Sequence, residues 1–382
     1  MMHHVGIDIT SLLYDRGVSR YTHNLVRALA RRHDIALKLF GSSWRQQALL
    51  EKRARDLLLK RPNRLHEVAV QPWPPTLLAW LWRFNQAKVS SLFEELDVIH
   101  SWDWLQPPDK NIPLVSTIHD LAIIKFPDTA HPDVLAAHRR SWDVLRERKA
   151  RFLAVTQATK RDIVELLQIP AYQITVIPEA LPIEIRETAR ALNDNDELYY
   201  KIKRKLNLTQ PYLFFVGTRE PRKNLMKQIE AWQPLANQIQ LIIAGAAGWD
   251  ATSTQTFEHP NLRFLGKVSD AELEVLYNNA EVFVYPSIYE GFGLPILEAF
   301  YHLKPVVAAN IPAIAEVAGN AAELVDPHDA QAIRDAILKL LNETKEEQQK
   351  RAQRMIIRGQ MFSWDSVATA TMEVYKQAIE ER

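Results

Sequence analysis

Two glutamates, Glu290 and Glu298, bracket the segment Gly291-Phe292-Gly293-Leu294-Pro295, which follows the run Tyr285-Pro286-Ser287-Ile288-Tyr289. The apolar stretch ending at Ser287 reads as a buried strand, and Pro295 suits the first turn of a helix. The glycines between them free the backbone to bend closely around a ligand. The unpaired amides of that helix start make an anion site. Glu290 then lies in the loop before the helix and Glu298 about one turn inside it, so the two carboxylates can face one ligand at different depths. Carboxylates beside an anion-binding helix end suit a molecule that carries both phosphates and hydroxyls.

A second group, Val216-Gly217-Thr218-Arg219-Glu220-Pro221-Arg222-Lys223-Asn224-Leu225, sits between another apolar run and a helical pattern. Clustered cations beside a helix N-terminus suit a diphosphate whose negative charge grows as a leaving group departs. Arginine grips two oxygens at once, whereas lysine acts as a point charge. Nearer the start, Val115-Ser116-Thr117-Ile118 ends at His119-Asp120. The Asp120 carboxylate either orients the imidazole or caps the following segment.

These groups need elements to hold them. His4 to Ile9 is an apolar run, and a helical pattern from Gly17 to His33 places Tyr21, Leu25, Val26 and Leu29 on one side. Strand-like runs recur at Ile35–Phe40, Glu67–Val70, Asp97–Ser101, Pro113–His119, Phe152–Thr156 and Ile174–Pro178, with helix-like stretches between most of them. A second series occupies Tyr212–Val216, Gln240–Ala244, Leu262–Leu265, Val282–Tyr285 and Pro305–Ala309. Short apolar strands alternating with helices predict an α/β chain with parallel sheets covered on both faces, in which ligands sit at the carboxyl ends of strands. Residues 1–182 are expected as one doubly wound domain and 199–362 as another. The charged stretch 183–198, with Asn193-Asp194-Asn195-Asp196, is expected to link them, and 363–382 to form a C-terminal helix.

Composition sets the limits. The chain has 382 residues, 11 glycines, no cysteine, and a net charge of +1. That length suits two or three domains with their own cores. Without cysteine there is no disulfide framework, thiolate metal site or cysteine nucleophile, which fits a reducing interior. The balanced charge argues against a nucleic-acid binder. No run reaches the 18 or so apolar residues of a membrane span, and Met1-Met2-His3-His4 leads into a strand rather than a signal peptide. A cytoplasmic protein is expected, possessing neither a P-loop nor a complete dinucleotide fingerprint, so ATP and NAD chemistry are disfavoured.

The segment from Glu290 to Glu298 resembles the retaining glycosyltransferases of family 4, whose fingerprint is E-x7-E with the same Glu-Gly-Phe-Gly-Leu-Pro core. The resemblance implies the GT-B fold, two Rossmann-like domains facing each other across a cleft. It implies that Glu290 and the amides of Gly291, Phe292, Gly293 and Leu294 hold the donor sugar and diphosphate, and that Glu298 binds the ribose hydroxyls. Gly217 through Lys223 is similar to the family's Gly-x-x-x-Pro-Arg-Lys segment, in which Lys223 and an arginine bind the diphosphate; Arg219 and Arg222 both remain candidates. By the same resemblance His119 contacts the donor sugar or acts beside the reacting carbon, Gly17 belongs to the glycine loop that lets backbone approach the phosphates, and base contacts fall near Gly266 to Val268. The family pattern extends through Phe362-Ser363-Trp364 and a final helix that crosses back toward the first domain. One departure is Ile177-Pro178-Glu179-Ala180, where relatives usually have Pro-Asn-Gly.

Two features outside these motifs need a reading. Asp194-Asn195-Asp196 spells a metal-binding pattern of other glycosyltransferases, but it lies in a polar stretch rather than at a strand end, and metal sites need converging ligands on fixed elements. Between residues 41 and 66, Arg45, Lys52, Arg53, Arg55, Lys60, Arg61 and Arg64 outweigh Glu51 and Asp56, and Trp73, Trp80, Trp82 and Phe84 follow. A basic face beside interfacial aromatics can hold an enzyme on an anionic membrane where a lipid-linked acceptor resides. The alternative is a solvated helix followed by a core helix.

The expectation is therefore a retaining hexosyltransferase that uses a nucleotide diphosphate sugar, UDP-glucose or GDP-mannose, and a saccharide or lipid-linked saccharide acceptor. No metal or other cofactor is expected, and peripheral membrane contact would run through 41–84. A nucleotide-sugar epimerase of similar fold and a catalytically silent nucleotide-sugar-binding protein are the alternatives.

Overall fold

The computed structural model describes residues 2–14, 17–59, 65–248 and 257–381. The chain divides into two compact units, Met1–Glu179 with Ser363–Arg382, and Ala180–Phe362.

The first unit is built on seven parallel strands: β1 (His3–Asp8), β2 (Ile35–Ser42), β3 (Glu67–Gln71), β4 (Val98–Trp102), β5 (Leu114–Ile118), β6 (Arg151–Ala154) and β7 (Ile174–Val176). Their spatial order is β3-β2-β1-β4-β5-β6-β7. Helices cover both faces of the sheet, so its central strands are buried along their whole length; every residue of β2, β4 and β5 is buried. The helix Gly17–Leu29 turns Tyr21, Leu25, Val26 and Leu29 inward, as its periodicity predicts. The C-terminal helix Trp364–Glu380 packs against it and against β4 and β5. Tyr375 from that helix hydrogen-bonds His100 Nδ1 at 2.6 Å, while Thr117 meets Nε2 at 2.9 Å. A buried histidine with both nitrogens satisfied is a packing element, and burial pulls its pKa down to about 3.

The second unit has β8 (Tyr212–Val216), β9 (Gln240–Ala244), β10 (Leu262–Gly266), β11 (Val282–Tyr285), β12 (Val306–Ala309) and β13 (Glu323–Val325), all parallel, in the order β10-β9-β8-β11-β12-β13. In each sheet the order reverses between the first and fourth strands, at β1/β4 and β8/β11, where diverging crossovers leave room for a ligand. Of these strands, β13 is absent from the expected series because it is only three half-buried residues. At the carboxyl end of β9, Gly245 has φ of +134°, and a Cβ there would lie 2.0 Å from the Gly217 carbonyl oxygen. Only glycine lets the ends of β8 and β9 come this close.

The stretch 183–198, expected as a linker, is instead helical and belongs to the second unit. It forms the helix Ile183–Asn193 and the start of the helix Asp196–Lys205. Ile185, Ala189 and Leu192 recur on one face and are buried, a helical spacing that the many charges on the other faces obscure. Asn195 accepts a hydrogen bond from the Leu198 amide at 3.0 Å and caps the second helix, so the Asp-Asn-Asp triplet serves as a turn between helices. Among the described residues no helix is long and apolar enough to cross a membrane, and no group of three or more His, Cys, Asp or Glu could hold a metal ion.

Candidate functional site

Because β8 and β11 are neighbours, the loops that leave them meet. The Ile288 amide donates to the Arg222 carbonyl at 2.8 Å, and Asn224 Nδ2 donates to the carbonyls of Pro286 at 3.0 Å and Pro327 at 2.6 Å. These bonds fix Arg222 and Lys223 against Glu290 across 67 residues of sequence. Lys223 Nζ lies 2.5 Å from Glu290 Oε1 and 2.9 Å from the Tyr285 hydroxyl, which itself donates to Glu290 Oε1 at 2.8 Å. Arg222 Nη1 donates to Glu290 Oε2 at 2.9 Å, and its Nε donates to Glu220 Oε2 at 2.8 Å. Glu290 is 8% exposed. Burial alone would raise its pKa, but the charges of Lys223 and Arg222, with hydrogen bonds from Lys223 and Tyr285, hold it at about 2. Burial in turn pulls Lys223 below its ordinary value against the attraction of Glu290.

The arginine alternatives differ in their surroundings. Arg222 is engaged by two carboxylates and the Tyr289 carbonyl. Arg219 lies with its guanidinium 5.2 Å from the Phe264 ring centre, and among the described residues no carboxylate or carbonyl takes its N–H groups. Lys223 has three N–H donors, of which Tyr285 and Glu290 take two.

The helix that carries Glu298 begins after Gly293, which has φ of +103° and opens the helix Leu294–Tyr301 with Pro295 in its first turn. A left-handed residue there lets the chain turn sharply from the loop into the helix; in the first turn Pro295 has no N–H and the Ile296 amide donates to the Gly293 carbonyl at 2.9 Å, so the Leu294 amide is the donor left at the helix start. Phe292 sends its ring into the core against Phe362, 5.7 Å between centroids and perpendicular. Of Phe292, only the backbone is therefore available to a ligand. Glu298 is buried and accepts a hydrogen bond from the Tyr277 hydroxyl at 3.0 Å. Tyr277 stacks on His302 at 5.0 Å, and His302 is bonded to Glu274 at 2.7 Å. Gly217 ends β8, and Val268, half-buried, lies just past Gly266 at the end of β10.

In the first unit, His119 follows β5. Its Nδ1 donates to Glu179 Oε1 at 2.8 Å, while Nε2 is buried with no partner among the described residues. Burial lowers the imidazole pKa, but the bond and charge of Glu179 outweigh it and raise the value. Asp120 accepts from the Ala122 amide at 2.8 Å, so it caps the next helix and the orienting carboxylate is Glu179. Gly17 opens the helix Gly17–Leu29 with open space where a Cβ would stand; its neighbours Asp15 and Arg16 lie outside the described residues. Sequence reasoning assigned no role to Tyr285, Tyr277, Glu220 or Glu179. Tyr285, Glu220 and Glu179 stood inside the quoted motifs, the last as a departure from the family pattern.

The aromatic stretch divides. Trp82 is buried and donates through Nε1 to the Ala87 carbonyl, and Trp73 packs against the core. Trp80 and Phe84 are more than half exposed and pack on each other, and Trp44 is exposed with Arg45 over its ring. Arg53 donates to the Leu12 carbonyl and Arg55 pairs with Glu51, while Lys60, Arg61 and Arg64 lie outside the described residues.

Comparison with known proteins bears on this geometry. A family model for glycosyltransferase family 4 matches residues 16–184, and one for glycosyl transferases group 1 matches 199–360. The chain is 31% identical over 375 residues to the O-antigen chain mannosyltransferase B of Escherichia coli, covering 94% of this chain and 96% of that protein. It is 29% identical over 228 residues to the O-antigen chain mannosyltransferase RfbU of Salmonella typhimurium, covering 58% and 59%. Among solved structures, a glycosyltransferase from Rickettsia africae superposes with a TM-score of 0.72 at 16% identity over the whole of both chains. Anabaena HepE in complex with UDP superposes with 0.68 at 18% identity, covering 98% of this chain and all of that one. The similarity in structure shows a shared GT-B fold.

Proposed function

The chain belongs to glycosyltransferase family 4, and from that premise we propose that it is a retaining mannosyltransferase. It takes mannose from GDP-mannose to a saccharide or lipid-linked saccharide acceptor in polysaccharide or glycolipid synthesis. The observation that carries the reading is the cluster of Lys223, Arg222 and Glu290 at the reversal point of the second sheet, with Arg219 beside it. The mannosyl donor is favoured by the names of the relatives similar over most or half of the chain.

In the proposed reaction the bond from the sugar C1 to the donor phosphate oxygen breaks as the acceptor oxygen bonds C1 from the same face. The acceptor proton passes to a donor phosphate oxygen, and the anomeric configuration is retained. The remaining N–H of Lys223, the guanidinium of Arg219, which no described carboxylate takes, and the Leu294 amide at the helix start stabilise the departing diphosphate. Cationic side chains then do the work that a divalent metal would do in this position. Glu290, fixed by Lys223, Arg222 and Tyr285, positions the sugar hydroxyls, and Glu298 takes the ribose. His119 offers its Nε2 to a reactant.

Thermal unfolding of the full chain with GDP-mannose, UDP-glucose, GDP and UDP tests the donor. A preferred ligand at a hundred times its Kd adds about 2.7 kcal/mol to stability, so GDP-mannose should raise the Tm most. A larger rise with UDP-glucose overturns the donor assignment. Donor conversion without acceptor would establish the epimerase, and donor binding with neither transfer nor slow hydrolysis would establish a silent binding protein.

A further inference from the structure

We propose that Glu179 is a positioning residue for His119, holding the imidazole by Nδ1 so that Nε2 is the group presented to a reactant. The identity of that reactant rests on the glycosyltransferase reading; the pairing itself does not.

Glu179 is held in place from both sides of the sequence. β7 pairs with β6, the Ile177 amide donates to the Ala154 carbonyl at 2.9 Å, and Ile177 and Ala180 are buried. The Glu179 carboxylate is itself only 5% exposed. Across from it, the His119 ring meets the Tyr21 ring nearly edge-on at 4.7 Å and lies at a shallow angle to Trp102, 6.3 Å away. Clamped between aromatics and bonded at one nitrogen, the imidazole has one tautomer and one orientation open to it. The carboxylate accepts from Nδ1, so the chemistry left to the ring is at Nε2.

Nε2 is buried and lacks a partner among the described residues, a costly state for a polar nitrogen in a protein interior. His100, one strand away, has both nitrogens bonded. In His119 the bonded nitrogen is taken by Glu179, which leaves Nε2 as the atom of this ring open to a reactant.

The charges facing the ring identify Glu179 as the decisive partner. Asp103 and Asp120 also favour the charged imidazole, but Asp120 caps Ala122 and Asp103 lies against His138 at 3.3 Å. Tyr21 and Trp102 contribute no charge, and His100 is held neutral by burial. Burial opposes the charged form of His119, and the Glu179 hydrogen bond is the foremost effect against it. Replacing the carboxylate by an amide keeps the shape and an acceptor for Nδ1–H but removes that charge.

The test is a histidine titration of the full chain, labelled with 13C at histidine, with His119 assigned by the signal missing in His119→Asn. Glu179→Gln should lower the His119 pKa by roughly one unit or more, and Glu179→Asp should restore part of the difference. In turnover of GDP-mannose, Glu179→Gln should lower kcat on the order of tenfold with little change in KM, and it should add little in a His119→Asn background. An unchanged His119 pKa in Glu179→Gln, or equal losses in both backgrounds, overturns the proposal. Should the wild-type chain not turn over GDP-mannose, the donor reading falls while the titration still decides the role of Glu179.

Discussion

Changing Glu290 to glutamine removes one negative charge from a buried cluster without removing its shape. In the folded protein this carboxyl is held at about 2 against an ordinary 4.5, a difference corresponding to about 3 kcal/mol of stability at neutral pH. A separate route gives a similar figure. Glu290 is the shared partner of Lys223 and Arg222, and removing one member of a buried ion pair typically costs about 3–5 kcal/mol. Folding depresses this pKa, so the stabilisation is fully present above the unfolded value of 4.5 and is lost as pH falls through about 2. Glu290→Gln should therefore lower unfolding free energy by about 3 kcal/mol near neutrality and by less than half of that near pH 3, where the carboxyl of the unfolded wild-type chain is already protonated while the folded one still holds its charge. Urea denaturation followed by circular dichroism suits the comparison, because urea leaves charges unscreened, and each unit should be allowed its own transition. A loss under about 1 kcal/mol at neutral pH, or one that does not shrink with acid, would refute the view that Glu290 is a buried counter-ion.

Two further changes separate ligand binding from folding. Arg219→Met should weaken GDP-mannose binding by about tenfold or more at nearly unchanged stability, whereas Arg222→Met should destabilise the protein by more than about 1 kcal/mol, because Glu220 and Glu290 lose their partner. Calorimetric titration and denaturation read the two effects, and unchanged GDP-mannose binding in Arg219→Met would move the diphosphate assignment to Arg222. The exposed Trp44, Trp80 and Phe84 with the net positive charge of residues 41–66 predict co-flotation with anionic vesicles that weakens with salt; equal recovery with neutral vesicles would sink membrane contact.

Much of the architecture was legible in the sequence because parallel strands buried on both faces are nearly continuous apolar runs. Leu114–Ile118 and Tyr212–Val216 announce themselves in this way. The stretch 183–198 was not legible as structure, since its buried Ile185, Ala189 and Leu192 are outnumbered by charges that face solvent. The site followed the same division. Glu290, Glu298 and Lys223 could be named from short motifs, whose residues are neighbours in sequence. Pairings could not, because they join residues far apart: His119 to Glu179 across 60 positions, and Arg222 to Glu290 across 68. Which loops meet depends on strand order, and an alternating pattern of strands and helices does not state whether β8 lies beside β11.

That strand order has a consequence for binding strength. At the reversal point, two cations, Lys223 and Arg222, are matched by two carboxylates, Glu220 and Glu290, so this part of the cluster is balanced before any ligand enters. Under the proposed function, the attraction left for a diphosphate is that of Arg219, one lysine N–H and the Leu294 amide at the helix start. A site with every cation unpaired would hold the nucleotide product as firmly as the donor, and binding that does not distinguish ground state from transition state adds nothing to the chemical step. In the balanced arrangement Glu290 holds the cations in position and keeps their pull moderate; under the proposed function, a place at the sugar end would tie that pull to the donor rather than to the bare nucleotide. The carboxylate read from the sequence as a sugar ligand is thus, in the folded protein, the shared counter-ion of Lys223 and Arg222.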